Sequence, residues 1–393
     1  MTEIPNPNDG LRRIAAAYSG HWLYLLGDEG VLYSETHSRF VGLNAAGVFA
    51  YRAFDAGVTV GELNAVADRQ SRDLASSEAM HTILELSRGV FPSESSPAAW
   101  PPLQQPVPAN LAIHDVPVFV DFPGGSLEDL CRDYFHRFPP AVEPAKCRIS
   151  AHRAHELWTI DINGSAILSS LRDQQLGLAF MHAARSVLYA ESKYDIAFHA
   201  AMVSNHECGI LLCGPREAGK STLAAYLLAH GFDVLSDEPA LLELDTGQIS
   251  SLCAPLSLKE GSWSLLRDDL PALSRAPIHL RSDGTKIRLL HSTANDTPVS
   301  RALTHIIFPE YRSSSGTQVH RLTPLQTLNL LNEAGMILAR HLSRHRFEAF
   351  LRKLCATPAY ALRYASLEQA ASLVSSLIRK DADWQTTDGY AKL

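Results

Sequence analysis

Short apolar runs alternate with polar turns along most of the chain, which predicts a protein built from both strands and helices. The clearest example covers residues 209–238, GILLCGPREAGKSTLAAYLLAHGFDVLSDE. Residues 210–213 form a continuous apolar run of strand length. Residues 223–230 continue as a helix that Gly231 ends, and residues 232–236 form a second short strand. The pattern therefore predicts strand, loop, helix and strand in succession.

The N-terminal part has the pattern of a small sheet followed by helices. Polar breaks separate three strand-like runs, at residues 21–26, 31–34 and 39–43. Three helices are predicted after them, at residues 45–54, 59–67 and 76–88. We interpret residues 11–91 as one domain. Prolines then recur among Ser and Gln at residues 92–108, a composition that predicts an extended linker at the domain boundary.

The rest of the chain predicts a larger second domain, residues 109–380, followed by a loose tail at 381–393. Its predicted strands are at residues 116–122, 147–155, 157–161, 165–169, 196–203 and 301–308. Its predicted helices are at residues 126–138, 173–189, 323–336 and 367–378. The strand at 196–203 turns directly into the strand at 210–213, so these two form an antiparallel hairpin. The fold class predicted is α/β (α+β) with a mixed sheet.

Composition limits the classes of function. The chain has 393 residues, 46% of them hydrophobic, which is enough for a sizeable core. A formal net charge of -7 argues against a general binder of nucleic acids or membrane surfaces. We expect a cytoplasmic protein, because no apolar run is long enough to span a membrane and the N-terminus lacks a signal pattern. The spacing of the six cysteines predicts free thiols.

A complete phosphate-binding motif, G-x-x-x-x-G-K-[ST], follows the strand at residues 210–213. Glycines let backbone N–H groups turn towards a phosphate, and the start of the next helix adds partial positive charge. Lys220 is expected to reach the β- and γ-phosphates of ATP or GTP, and the Ser221 hydroxyl to bind Mg²⁺. The predicted nucleotide-binding residues are Gly214, Pro215, Arg216, Glu217, Ala218, Gly219, Lys220, Ser221 and Thr222.

Two acidic residues, Asp237 and Glu238, come directly after the strand at 232–236. We expect this strand to lie beside the loop strand, with both acids at the carboxyl edge where ligands bind open α/β sheets. A carboxylate there can hold Mg²⁺ or accept a proton from an attacking hydroxyl. The predicted metal ligands are therefore Ser221, Asp237 and Glu238. An acidic start to the next turn is the alternative for the pair. His199 is either a core histidine or catalytic.

The hairpin, His199, the phosphate loop and the acid pair together resemble the HPr kinase/phosphorylase family. In that family a histidine-containing strand precedes a loop ending Gly-Lys-Ser, and a later strand ends in paired aspartates. Residues 110–380 are more similar to an HPr kinase-related subgroup from bacterial peptide-modification clusters, which includes kinases that phosphorylate serine in lasso-peptide precursors. Residues 255–259, Pro-Leu-Ser-Leu-Lys, resemble a Pro-x-Ser-Leu-Lys stretch of this subgroup.

This resemblance implies roles for individual residues. Asp237 would be the base that deprotonates the acceptor hydroxyl, and Lys220 would contact phosphates as a catalytic residue. His199 would lie beside the transferred phosphoryl group, and Lys259 would neutralise charge developing on it. HPr kinases form oligomers, so a homo-oligomer is implied as well. The chain departs from the family in having Glu238 as the second acid and in lacking a Glu-Arg-Gly signature.

Residues 12–90 resemble the PqqD-like family of small winged-helix domains, through Gly-Val-Leu-Tyr, Arg-Phe-Val-Gly-Leu-Asn-Ala-Ala-Gly-Val-Phe and Val-Thr-Val-Gly-Glu-Leu. PqqD-like domains recognise leader peptides of ribosomally made, modified peptides. The resemblance implies a peptide that adds as a strand to the sheet edge, with its side chains against the third helix. DNA binding and a purely structural cap are the alternatives for this domain.

The sequence as a whole predicts a kinase that uses ATP or GTP with Mg²⁺. It would transfer the γ-phosphoryl group to a hydroxyl, expected to be serine, of a ribosomally synthesised precursor peptide or small protein. Three alternatives remain open at this point. They are a small-molecule or sugar kinase, a nucleotide-gated peptide chaperone without phosphoryl transfer, and an enzyme similar to PEP carboxykinase.

Overall fold

A computed structural model describes residues 11–15, 21–55, 106–135, 138–154, 156–205, 208–252, 254–281, 283–291, 300–313, 316–339 and 342–379. The helices predicted at 59–67 and 76–88, most of the predicted linker and the predicted tail at 381–393 lie outside these residues. The described fold is mixed α/β, and its sheets contain parallel and antiparallel strands. None of the helices in the described ranges is long and apolar enough to cross a membrane.

The chain divides into two compact units. The first contains the described residues of Met1–Glu94 together with Leu322–Glu333 and Leu338–Ala359. The second contains the described residues of Ser95–Arg321, Ala334–Ile337 and Tyr360–Leu393. Two helices from the C-terminal third of the chain therefore belong to the first unit. The domain predicted from sequence at residues 11–91 did not include them.

Among its described residues, the first unit contains a four-stranded antiparallel sheet. Its strands, in sheet order, are Leu11–Ala15, His21–Leu26, Glu29–Ser34 and Arg39–Leu43. The first of them was not predicted. Three helices complete the unit within the described residues: Ala45–Asp55, Pro324–Glu333 and Arg344–Ala356. Side chains alternate between the two faces of a strand, and neighbouring positions such as Leu32 and Tyr33 are both buried, so both faces of this sheet are apolar.

The two faces of this sheet contact different helices. Leu23 and Leu32 pack in one apolar cluster with Val48 of the helix Ala45–Asp55. On the other face the ring of Tyr33 stacks on Phe347, with centroids 4.0 Å apart. The Tyr33 hydroxyl also donates a hydrogen bond to the carbonyl oxygen of Leu342. Burial of both faces explains why the unit recruits a helix from a distant part of the chain.

Within the described residues, the second unit contains three sheets. The main sheet has ten strands; its principal order is Asp233–Ser236, Ala200–Asn205, Cys208–Cys213, Ser300–Tyr311, Gln248–Ser251, Ala240–Glu243, Ile196–Phe198 and Ile337–Leu338. Ala359–Tyr364 pairs with Ser300–Tyr311 and with Gln318–Arg321. A second sheet contains Pro106–Ile113, Val116–Pro123, Cys147–Ala154, Leu157–Ile162 and Ser165–Leu171. A third contains Leu256–Lys259, Lys286–Leu290 and Ile278–Leu280.

Helices flank these sheets. The described α-helices of the unit are Ser126–Arg132, Leu176–Glu191, Lys220–Ala229, Glu260–Trp263, Pro271–Arg275 and Leu367–Ile378. Short 3₁₀ turns, Asp133–Phe135 and Asp173–Gln175, occupy positions that were predicted as ends of longer helices. The strand Pro106–Ile113 begins inside the predicted linker.

Four strands of the main sheet position the candidate site, and we name them by what they carry. The loop strand is Cys208–Cys213, the hairpin strand Ala200–Asn205, the acid strand Asp233–Ser236 and the tyrosine strand Ser300–Tyr311. The hairpin strand is antiparallel to both the loop strand and the acid strand. The tyrosine strand is parallel to the loop strand. The loop, acid and tyrosine strands therefore end at the same edge of the sheet.

Two predictions about this region need correction. The hairpin strand lies between the acid strand and the loop strand, which were expected to be direct neighbours. The strand predicted at 196–203 is interrupted at His199. Before this residue the chain pairs with Ala240–Glu243, and after it with the loop and acid strands. The change of partners explains the break. The predicted hairpin itself is confirmed, with Ala200 opposite Cys213.

Candidate functional site

The phosphate-loop motif forms a tight bend between the loop strand and the helix Lys220–Ala229. Gly214 and Gly219 both have positive φ, 147° and 91°, and Glu217 has φ 70°. A Cβ atom at Gly219 would lie 2.5 Å from the Tyr364 hydroxyl, closer than real contacts allow. Gly219 is required here for two reasons, because its backbone is left-handed and its neighbour leaves no room.

Lys220 lies against the start of this bend. Its Nζ donates hydrogen bonds to the carbonyl oxygens of Gly214, at 2.6 Å, and Pro215, at 2.9 Å. Burial lowers the pKa of Lys220, and the negative charges of Asp237 and Glu238 oppose that shift. The ammonium is therefore a partly desolvated positive charge at the loop, which is the property needed to attract a phosphate.

Asp237 is held by two hydrogen bonds. The Ser221 hydroxyl donates to Oδ1 at 2.8 Å, and the backbone N–H of Ser257 donates to Oδ2 at 2.9 Å. Burial raises the pKa of Asp237, and these two hydrogen bonds reduce the shift without reversing it. Both carboxylate oxygens are oriented, so Asp237 faces the beginning of the loop helix in a defined geometry.

Glu238 has different neighbours from Asp237. Its Oε1 lies 2.6 Å from His199 Nδ1 and accepts a hydrogen bond of 2.9 Å from the Arg185 guanidinium. Burial alone raises the pKa of Glu238, but the hydrogen bond with His199 and the charge of Arg185 outweigh it and bring the pKa below its ordinary value. Glu238 therefore connects His199 to the helix Leu176–Glu191, which carries Arg185.

Lys259 reaches the loop from the third sheet. Its Nζ lies 3.0 Å from Oε1 of Glu217. Both side chains are well exposed to solvent, so this ion pair contributes little to stability. Its significance is positional, because it brings a second lysine to the residues predicted to surround a phosphate.

The end of the tyrosine strand contacts the same loop. The backbone N–H of Tyr311 donates to the carbonyl oxygen of Ala218 at 3.3 Å. Glu310 accepts hydrogen bonds from Arg312, at 2.7 Å, and Arg363, at 3.0 Å. Burial alone raises the pKa of Glu310, but these two arginines lower it below its ordinary value. The strand predicted at residues 301–308 is longer in the structure, and Tyr311 is its last residue.

Most of the predicted site residues thus lie around one loop. Lys220, Ser221 and Asp237 are linked as described, and Lys259 reaches the loop through Glu217. Arg216 is exposed, and Thr222 lies partly buried in the first turn of the loop helix. In the described part of the chain no group of three or more His, Cys, Asp and Glu side chains could hold a metal ion. Glu238, predicted as a metal ligand, is engaged with His199 and Arg185.

Sequence reasoning missed several contributors to the site. Arg185 lies inside an amphipathic helix without any local motif, and only the folded chain brings it to Glu238. In residues 255–259 only Lys259 was predicted to act at the site, and the contact of the Ser257 amide with Asp237 was not predicted. Tyr311 and Tyr364 lie on strands far from the loop in sequence. A glycine at position 219 is a signal of close approach, although it does not identify the approaching residue.

Comparisons with known proteins add no family assignment. No protein-family model matches this chain, and a search of curated proteins found no match.

Proposed function

We propose that this protein is an ATP- and Mg²⁺-dependent kinase that phosphorylates a hydroxyl, expected to be serine, of a precursor peptide or small protein. GTP is an alternative phosphoryl donor. One observation carries the proposal: the carboxylate of Asp237 is hydrogen-bonded to Ser221 of a complete phosphate-binding motif, at 2.8 Å. A potential proton acceptor and a phosphate cradle are thereby adjacent, which is the arrangement that phosphoryl transfer to a hydroxyl requires.

The phosphate loop has the features needed to bind a triphosphate. Its two positive-φ glycines shape the bend, and the loop helix begins at Lys220, so its first N–H groups and its dipole favour an anion. Lys220 and Lys259 add two positive charges near the loop. These backbone groups and lysines would contact the phosphates, so their contribution to binding is expected not to depend on the base.

Ser221 and Asp237 fit a magnesium ion. Both offer hard oxygen ligands, and their oxygens lie within hydrogen-bond distance of each other. Magnesium ions usually take one or two protein oxygens and complete their shell with phosphate and water, so a large cluster of acidic ligands is not needed. When bound, the ion would neutralise charge on the phosphates. Glu238, paired with His199 and Arg185, has a positioning role in this proposal.

Asp237 is the proposed base. The acceptor oxygen bonds to the γ-phosphorus, the bond from that phosphorus to the bridging oxygen breaks, ADP leaves, and the acceptor proton passes to Asp237. Burial raises the pKa of this carboxyl, which makes the ionised form a stronger base than an ordinary aspartate. Fixed orientation by Ser221 and the Ser257 amide reduces the cost of reaching the productive geometry.

Recognition of a peptide is proposed for the first unit, by analogy with PqqD-like domains. Within the described residues, the strand Arg39–Leu43 pairs with Glu29–Ser34 and stands last in the order of its sheet, and a terminal strand is where a peptide strand can add. A peptide tethered in this way would raise the effective concentration of its acceptor residue at the kinase domain. We assign that second domain to the HPr kinase-like class in this proposal.

The test is intact-mass spectrometry of precursor peptides encoded beside the gene, after incubation with the full-length protein, ATP and Mg²⁺. The expected result is a mass gain of one phosphoryl group, located on a serine by fragmentation. Phosphorylation of a sugar or another small molecule with the peptides unchanged would favour a small-molecule kinase. Peptide binding without a mass gain would favour a chaperone. A carboxylation or decarboxylation product would favour an enzyme similar to PEP carboxykinase.

A further inference from the structure

Tyr311 is an exposed aromatic residue at the ligand-binding edge of the main sheet. It ends the tyrosine strand, and 44% of its surface is accessible to solvent. Its backbone N–H bonds to Ala218 of the phosphate loop, and its Cβ lies 3.5 Å from the position that a Cβ would take at Gly219. An aromatic residue is thus hydrogen-bonded to the loop through its backbone, while a substantial part of its surface is accessible to solvent.

The ring of Tyr311 is held in place by its surroundings. Tyr364 packs against it edge-on, with ring centroids 5.7 Å apart. The Tyr364 hydroxyl donates to the Gly219 carbonyl oxygen at 3.4 Å, and the Arg312 amide donates to the Tyr364 carbonyl oxygen at 2.8 Å. Next to them, Glu310 pairs with Arg312 and Arg363. An aromatic side chain supported in this way loses little entropy when a ligand stacks on it.

The order of strands gives a direction to a bound nucleotide. The acid strand, which leads to Asp237, is on one side of the loop strand, and the tyrosine strand is on the other. All three end at the same edge of the sheet. A triphosphate in the loop with its terminal phosphorus towards Asp237 therefore extends its nucleoside end away from the acid strand, towards the tyrosine strand and Tyr311.

We propose that Tyr311 is the stacking platform for the base of the nucleoside triphosphate. This inference rests on the proposed function, since it takes the loop to bind a triphosphate. Stacking on an aromatic ring accepts any base, because every base has a π face. The platform therefore gives affinity for the base without selecting between adenine and guanine, and ATP and GTP bind with similar affinities.

Calorimetric titration tests this assignment with three ligands: ATP, GTP and inorganic tripolyphosphate, which has no base. They are titrated into the full-length wild type, Tyr311→Ala and Tyr311→Phe, after thermal unfolding has shown that all three proteins are folded. We expect Tyr311→Ala to raise the Kd of ATP and GTP by about tenfold, which is within the range for the loss of one base stacked on one aromatic ring. The Kd of tripolyphosphate stays within about twofold, and Tyr311→Phe, which keeps the ring, binds ATP like the wild type.

Each other outcome overturns the inference. Unchanged ATP affinity in Tyr311→Ala means that the base lies elsewhere, and the proposed function survives. An equal loss of ATP and tripolyphosphate affinity means that Tyr311 only supports the loop. A wild type that binds neither ATP nor tripolyphosphate removes the proposed function, and this inference with it. A wild type that binds GTP and ATP with very different affinities contradicts a platform that does not select the base.

Discussion

Ser221 and Asp237 are joined by a hydrogen bond of 2.8 Å from the serine hydroxyl to Oδ1. The serine is in the first turn of the helix Lys220–Ala229, and the aspartate follows the acid strand Asp233–Ser236. This contact fixes the carboxylate relative to the phosphate loop. Because Ser257 N–H holds the second oxygen, the orientation does not depend on Ser221 alone.

Replacement of Gly219 by alanine should weaken nucleotide binding. The variant places a Cβ on a backbone with φ 91° and drives it to 2.5 Å from the Tyr364 hydroxyl. Gly231→Ala is the matched control, because Gly231 has φ 87° and nothing within 4 Å of its added Cβ. Each variant should lose about 1–2 kcal/mol of unfolding free energy from backbone strain. Only Gly219→Ala should raise the Kd of ATP, by about tenfold or more by calorimetry. Equal ATP affinities in both variants would refute the requirement for space at Gly219.

Glu238→Gln should slow the reaction without weakening the binding of Mg²⁺. The substitution removes the negative charge that pairs with His199 and Arg185 and leaves a neutral acceptor, so both contacts hold the imidazole less firmly. We expect kcat to fall about tenfold, with the Kd of ATP and the concentration of Mg²⁺ for half-maximal rate within twofold of wild type. Glu243→Gln, an exposed residue of the same sheet, is the control. A large increase in the Mg²⁺ requirement of Glu238→Gln would instead support the metal-ligand role predicted from sequence.

Phe347→Ala should destabilise the first unit strongly. Phe347 is fully buried, and its ring stacks on Tyr33. Loss of a buried phenylalanine costs about 3–5 kcal/mol, measurable by denaturant unfolding followed by circular dichroism. The control is Phe49→Ala, because Phe49 is half exposed and should cost far less. Similar unfolding free energies for the two variants would contradict the packing. A fragment of residues 1–95 lacks Phe347, so peptide-binding experiments require the full chain.

Tyr33 should ionise at a higher pH than an ordinary tyrosine. Burial raises its pKa from 10.0 to about 12, although its hydrogen bond with Ser38 works in the opposite direction. The folded-state pKa is above the unfolded value, so folding disfavours the phenolate. The resulting stability is fully present below the unfolded pKa and is lost as the pH rises through the folded pKa. Absorbance at the tyrosinate band, as wild type minus Tyr33→Phe, should show titration near pH 12. A difference titration at the ordinary value would show that Tyr33 is accessible to solvent.

The local parts of the site were predictable from sequence. A motif of eight consecutive residues encodes the loop, and short apolar runs encode its flanking strands. The hairpin was predictable too, because residues 204–207 leave no room for a crossover helix. These features depend on neighbours in sequence, so their signals lie within a short window.

Long-range contacts explain what the sequence did not show. The strand is interrupted at His199 because the residues before it and the residues after it pair with different strands. The apolar pattern of a segment does not reveal which strand it pairs with. Arg185 and Tyr311 join the site only through the order of strands and helices. The helix Arg344–Ala356 belongs with the N-terminal sheet because Phe347 packs on Tyr33, more than three hundred positions away in sequence. Such pairings are set by the three-dimensional packing of apolar faces.

The most direct measurement compares phosphoryl transfer and ATP binding in the wild type and in Asp237→Asn. Asparagine keeps the size of the side chain and can still accept the hydrogen bond from Ser221, but it cannot take up the acceptor proton. We predict that the variant, titrated with ATP without Mg²⁺, has a Kd within a fewfold of wild type, and that its rate of peptide phosphorylation with Mg²⁺ falls by about 10²–10⁴. Phosphorylation by Asp237→Asn at the wild-type rate, or a wild type that binds no nucleotide, would contradict the account.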